Sequence, residues 1–171
     1  EIMAQDSIQQ LIDTLELAPH PEGGYFKETI RGAYDETLKR ESYSSIYFLL
    51  THDNISHYHR IDADEIWYFH AGQTLTLHLI DPEGHYETVT LGPNVEAGDV
   101  LQYVVRKGTI FASSVEQPEQ YALVGCMCQP AFQFETFEMI ARETLEHDFP
   151  DLAHQALQYA LTEAEVEASQ S

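Results

Sequence analysis

The stretch Ser56-His57-Tyr58-His59-Arg60-Ile61-Asp62-Ala63-Asp64-Glu65-Ile66-Trp67-Tyr68-Phe69-His70-Ala71-Gly72 decides how this chain is read. It places three histidines, a glutamate and the only tryptophan of the chain in a segment that reads as two β-strands and a turn. Side chains alternate between faces along a strand. His57 and His59 are therefore expected on one face, and Glu65 and Trp67 on one face of the next strand. Where those faces meet, imidazoles, a carboxylate and an aromatic wall would surround a hollow. That set of groups suits a metal ion or a proton transfer on a small ligand.

Outward from this segment, strand signals continue in both directions. Ser45–Thr51 carries Ile46, Phe48 and Leu50 in alternation. Leu75–Asp81 and Tyr86–Leu91 flank the turn residues Pro82-Glu83-Gly84, and Val100–Val105, Phe111–Ser114 and Tyr121–Cys128 follow. Many short strands with regular turn signals predict an all-β sandwich or barrel. Ser7–Leu17 reads as a helix capped by Ser7, with Ile8, Leu11, Ile12 and Leu15 as its apolar stripe. A last helix is expected from Pro150 to about Leu161, with frayed residues after it. No repeat or linker divides the chain. It reads as one domain over residues 1–171, with a barrel at 25–140 and a helical tail at 143–171.

The formal net charge is −21, from 8 Lys+Arg against 29 Asp+Glu. So acidic a chain is a poor partner for nucleic acid or an anionic membrane, which attract basic patches. No run approaches the roughly 18 apolar residues of a membrane span. No signal segment is visible, and a cytoplasmic location is expected. Cys126 and Cys128 would share one face of a strand, an arrangement that seldom permits a disulfide; they read as two buried thiols.

Three segments resemble a known family. They are Leu17-Ala18-Pro19-His20-Pro21-Glu22-Gly23-Gly24-Tyr25-Phe26-Lys27-Glu28-Thr29; Ser45 to Leu50 continuing through Ser56–Gly72 to Leu77-His78-Leu79; and Val124-Gly125-Cys126 followed by Ala131-Phe132-Gln133-Phe134-Glu135 and Phe137-Glu138. The family is cupin 5, within the cupin superfamily. The resemblance implies a double-stranded β-helix, or jelly-roll, barrel with short flanking helices. It also implies a homodimer and a small-molecule pocket inside the barrel. The general first cupin motif sets His-x-His three or four residues before its Glu. Here five residues separate His59 from Glu65, and Phe111 stands where the second motif has its ligand histidine.

Two readings of the site follow. In one, His57, His59 and Glu65 hold a divalent metal; the stretched spacing and the missing histidine count against it. In the other, favoured here, the pocket holds no metal or other cofactor. Glu65 then acts as general base, its carboxyl raised by partial desolvation beside Trp67, and His59 is the partner acid. The further candidates for ligand contact are Tyr25 in the glycine-rich loop, Trp67, His70 near the strand end, His78 and Gln102. Leu75–Asp81 leaves its register open: either Thr76 and His78 face the pocket, the choice made here, or the leucines do. Arg60 and Asp64 are expected as a surface or interface pair. The expected activity is metal-independent epimerase- or isomerase-like chemistry on a sugar or nucleotide-sugar. The alternatives are a non-catalytic carbohydrate- or nucleobase-binding protein, or a metal-dependent enzyme of the same fold.

Overall fold

A computed structural model describes residues 2–170. In chain order the elements are α1 (Ile2–Thr14), β1 (Ala18–Pro19), β2 (Tyr25–Arg31), β3 (Tyr34–Asp35), β4 (Arg40–Glu41), β5 (Ser44–Thr51), β6 (Ser56–Arg60), β7 (Asp64–Gly72) and β8 (Leu75–Ile80). Next come β9 (Tyr86–Leu91), β10 (Gln102–Val105), β11 (Ile110–Ser114), β12 (Tyr121–Gln129), β13 (Glu138–Met139), α2 (Arg142–Asp148) and α3 (Glu163–Ser169). The strand order is β1-β2-β5-β12-β7-β10 in one sheet and β13-β6-β11-β8-β9 in the other. Every strand pairing within these sheets is antiparallel. Apart from β1-β2 and β8-β9, every neighbour in both sheets is non-consecutive, which makes this the all-β jelly-roll that the sequence predicts.

The inner faces meet in a core of Phe48, Trp67, Leu75, Leu77, Leu79 and Phe111. Each such side chain, withdrawn from water, contributes about 1.5–3 kcal/mol. A second core lies on the outer face of the β6-β11-β8 sheet, where Tyr58, Ile80, Ile110, Ala112, Leu145 and Leu157 pack together. This second core settles the register of β8. The leucines face the barrel interior, and His78 and Ile80 face outward beneath the C-terminal segment, which reverses the expected choice. Both faces of the strand are buried, so burial alone could not select one.

Three further expectations are corrected. The first helix begins before Ser7, which lies inside it, and closes at Thr14, because Glu16 takes a left-handed backbone (φ 57). The last expected helix is a 3-10 segment, His154–Tyr159. Beyond it the chain does not fray but forms α3, which Thr162 and Glu165 close with a reciprocal capping box. That box is the arrangement that satisfies two otherwise unpaired N–H groups at a helix start. Among the described residues, no helix is long and apolar enough to cross a membrane.

Candidate functional site

The site begins with a loop, not with the strand pair. His20 to Gly24 folds over one end of β6. Gly23 has φ 109, and a Cβ there would overlap the Ile55 carbonyl oxygen. Only glycine permits that approach. Three hydrogen bonds pin the loop. His57 N–H and His57 Nδ1–H both donate to the Glu22 carbonyl, at 2.8 and 2.9 Å. Gly24 N–H donates to Asn54 Oδ1 at 2.9 Å. The consequence is that Glu22, only 6% exposed, is delivered into the barrel.

Inside, Glu22 Oε2 stands 2.6 Å from His59 Nε2. His59 Nδ1 lies 2.8 Å from the His57 carbonyl. A carbonyl only accepts, so Nδ1 must donate, while Nε2 faces a carboxylate; both ring nitrogens then carry protons, as in an imidazolium. The charges agree. Burial by itself would lower the His59 pKa, but the Glu22 charge, helped by the hydrogen bond and by Glu65, raises it above the ordinary value. Burial pushes Glu22 up, and the charge of His59 leads the opposing pulls that bring it below the ordinary carboxylate range. His20 stays neutral: burial lowers its pKa, and its Nδ1 accepts the Glu22 N–H at 3.1 Å.

Glu65 is the other carboxyl of the site. On β7 it lies directly opposite Cys128 of β12, and Trp67 lies opposite Cys126. All four residues are buried. Cys128 Sγ–H donates to Glu65 Oε2 at 3.0 Å. Burial and the nearby negative charge of Glu22 raise the Glu65 carboxyl to about 7, against weaker opposing pulls from Cys128, His59 and the Trp67 N–H. Two carboxylates thus share one interior in opposite states, Glu22 ionised and Glu65 poised near neutrality. Such separation marks acid and base assignments in enzyme sites.

These groups line a cavity of about 60 Å³, closed on its apolar side by Phe26, Ile46, Phe132 and Phe134. Phe26 packs edge-on against His20 at 4.6 Å. Phe134 is half exposed and forms the rim. Trp67 Nε1 and Ser56 Oγ are buried nearby, off the cavity wall, without a hydrogen-bond partner of good geometry. Buried polar atoms are rarely left so.

Of the residues singled out by sequence, His59 and Glu65 line this cavity. Trp67 packs in the core against Phe48 and Phe111, its N–H near Glu65. The others lie elsewhere. His78 is in the outer cluster. His70 is exposed at the edge of Tyr47. Tyr25 lines a separate cleft beneath α1. Gln102 is exposed, because Tyr103, not Gln102, pairs with inward-facing Trp67. Arg60 pairs with Glu138 and Asp64 with Arg106, not with each other. Glu22, His20 and Cys128 complete the cavity without being sequence candidates for it. The sequence reads Cys128 only as a buried thiol, and reads Glu22-Gly23-Gly24-Tyr25 either as a loop across the barrel mouth, with Tyr25 as its ligand group, or as a plain turn into the first strand.

The family description "Cupin superfamily (DUF985)" matches residues 9–140. The chain belongs to this cupin family. It is 31% identical over 155 residues to the uncharacterized protein YML079W of Saccharomyces cerevisiae, covering 80% of this chain and 77% of that one. Among solved structures, a hypothetical protein from Leishmania major aligns with a TM-score of 0.82 at 36% identity, covering 91% of this chain and 98% of its own. Protein SO0799 from Shewanella oneidensis aligns with a TM-score of 0.81 at 44% identity, covering 89% and 95%. Bacillus subtilis oxalate decarboxylase, at 13% identity and a TM-score of 0.55, shares the fold.

Metal-binding cupins would draw here on His57, His59 and Glu65. The residues do not fit that role as folded. Both His59 nitrogens are engaged, and His57 Nδ1 holds the Glu22 carbonyl. A β-bulge between the Phe111–His59 and Ser113–Ser56 pairings breaks the alternation that would align the two histidines. Phe111 sets an apolar ring 4.2 Å from His59 where a further ligand would stand. Among the described residues, the one group of three side chains whose donor atoms converge is Asp81, Glu83 and His85, on an exposed turn.

Proposed function

We propose that this cupin performs metal-independent acid/base chemistry on a small polar carbonyl compound, of the kind that isomerises or epimerises a sugar fragment. The observation that carries this reading is the pairing of Glu65, at about 7, with the buried Glu22–His59 ion pair in one cavity. Glu65 as carboxylate takes a proton from the carbon beside the carbonyl. The charge of the His59 imidazolium, held in place by Glu22 and the His57 carbonyl, stabilises the oxyanion that develops on the carbonyl oxygen. Return of the proton to the neighbouring carbon, or to the opposite face, completes an isomerisation or an epimerisation. General acid/base groups so placed accelerate a reaction by roughly 10²–10⁴-fold.

The test is solvent exchange. The protein is incubated in deuterium oxide with a panel of short hydroxy-aldehydes and hydroxy-ketones. Deuterium is expected at the carbon beside the carbonyl, and Glu65→Gln, folded as judged by circular dichroism, is expected to lose at least about 100-fold of the rate. Undiminished exchange in Glu65→Gln removes the assignment. Saturable binding with the ligand recovered unlabelled would make the protein a binder instead. The half-exposed apolar side chains of Ile30, Tyr34, Leu38 and Tyr43 support the expected homodimer, which sedimentation velocity would establish.

A further inference from the structure

The cavity carries a strong statement about the charge of its ligand. Its ionisable lining is Glu22, Glu28, Glu65, His20 and His59, with no lysine or arginine. The ion pair of Glu22 with His59 cancels, His20 is neutral, and Glu28 at the rim is paired with Arg31 at 3.2 Å, a guanidinium also held by Glu41 and the Phe132 carbonyl. The one guanidinium buried close by is committed elsewhere. Arg40 Nε donates to the Ala131 carbonyl at 2.6 Å, and its two terminal nitrogens grip Asp62, both at 2.9 Å. A phosphate or carboxylate entering here would find no free cation and would meet Glu65. Its remaining polar groups, in contrast, are the Glu65 carboxyl, the His20 imidazole and the Ser44 hydroxyl. A hydroxyl or carbonyl group satisfies such a set without bringing charge. The volume, about 60 Å³, holds a few heavy atoms and not a nucleotide, whose pockets run to roughly 300–1,000 Å³.

We infer that the cavity selects small uncharged hydroxylated ligands and excludes anions, so that phosphorylated and nucleotide-linked sugars are not its ligands. The inference rests on reading the cavity as a ligand site, and it is independent of any turnover there.

The chain supplies its own reporter. Its two cysteines are Cys126 and Cys128, both free, and both line this cavity. Every thiol modification of the folded protein is therefore a report from inside it. Two reagents of matched length serve: uncharged 2-hydroxyethyl methanethiosulfonate and anionic 2-sulfonatoethyl methanethiosulfonate. In each, the thiolate sulfur attacks the sulfenyl sulfur, a disulfide forms, methanesulfinate leaves with the electron pair, and the thiol proton passes to buffer. Burial pushes both thiols well up, which slows both reagents alike and leaves their ratio intact.

Rates are followed by intact mass and divided by those for 2-mercaptoethanol. The uncharged reagent is expected to react at least roughly tenfold faster than the anionic one. The ratio should persist in roughly 0.5 M sodium chloride, where surface fields are screened within about 4 Å. Equal or faster reaction of the sulfonate overturns the inference. So does a preference that vanishes in salt, which would place the selectivity on the acidic surface. Failure of both reagents on the folded chain, with normal reaction after unfolding, also overturns it, because the cavity would then admit no ligand. Loss of deuterium exchange without loss of this ratio would sink the catalytic reading alone.

Discussion

Two buried histidines on strands of one sheet, β6 and β8 with β11 between them, have opposite fates. His59, 3% exposed, lies inside the barrel and is held as a cation; His78, 2% exposed, lies on the outer face and is held neutral. Around His78 every hydrogen bond has a sense and a partner. Tyr86 Oη–H donates to Nδ1 at 2.8 Å, Nε2–H donates to Ser114 Oγ at 2.8 Å, and Ser114 Oγ–H donates to Glu116 at 2.6 Å. Tyr159 stacks on the imidazole at 3.7 Å and also donates to Glu116. The chain ends on a solvent-exposed carboxylate, nothing in it is unpaired, and it fastens the C-terminal segment to the sheet. Around His59 the opposite holds: two carboxylates compete, buried polar atoms lack partners, and a cavity opens beside them. Fully satisfied networks stabilise, and partly satisfied ones cost free energy.

Four measurements break or sharpen that contrast. The largest effect is expected from Glu22→Ala, which leaves His59 buried and unpaired. Removal of one partner from a buried pair costs about 3–5 kcal/mol, to be read by urea unfolding. The sign with pH follows from both partners. His59, raised, contributes fully below its ordinary 6.5 and less as pH climbs through its folded value. Glu22, lowered, contributes above its ordinary 4.5 and less as pH drops through its folded value. The penalty should therefore be greatest between about 4.5 and 6.5 and smaller at pH 8, where the unpaired imidazole can shed its proton. A pH-independent penalty would mean that the pair is not ionic.

The outer network should fail in acid. Burial lowers His78 to about 4 from 6.5, so the unfolded chain takes up that proton first. Stability is expected to fall by about 3 kcal/mol as pH drops from 6.5 through 4. His78→Gln should flatten that slope, and an unchanged slope would assign the acid loss to other groups. Tyr159→Phe should be mildest. It keeps the stacked ring and loses one hydrogen bond, worth about 0.5–1.5 kcal/mol, and should leave thiol modification in the cavity unaltered. A changed modification rate would show that the two regions communicate.

The contrast also explains what could be read from the sequence. The strands follow from alternation and turn residues, and most of their boundaries fall within a residue or two of expectation. His59 and Glu65 follow from the first-motif resemblance. The role of Glu22 does not, because a loop glutamate reaches the barrel only through the close packing of Gly23 on Ile55, a long-range contact without periodicity. His78 was ambiguous for a different reason: Leu75–Ile80 is buried on both faces, and the cover on its outer side comes from residues about 65–80 positions later. The capping box of Thr162 and Glu165 starts α3 where frayed residues are expected, because an Ala/Glu-rich tail carries too little apolar periodicity to place a helix.

The central claim is that burial and Glu22 hold the Glu65 carboxyl poised at neutral pH. A carbon-13 NMR titration of the glutamate side-chain carboxyls, with the Glu65 resonance assigned by its absence in Glu65→Gln, tests it most directly. A midpoint of about 7 is expected. A midpoint near the ordinary 4.5 would show Glu65 to be a plain buried carboxylate and would leave the cavity without its acid/base partner.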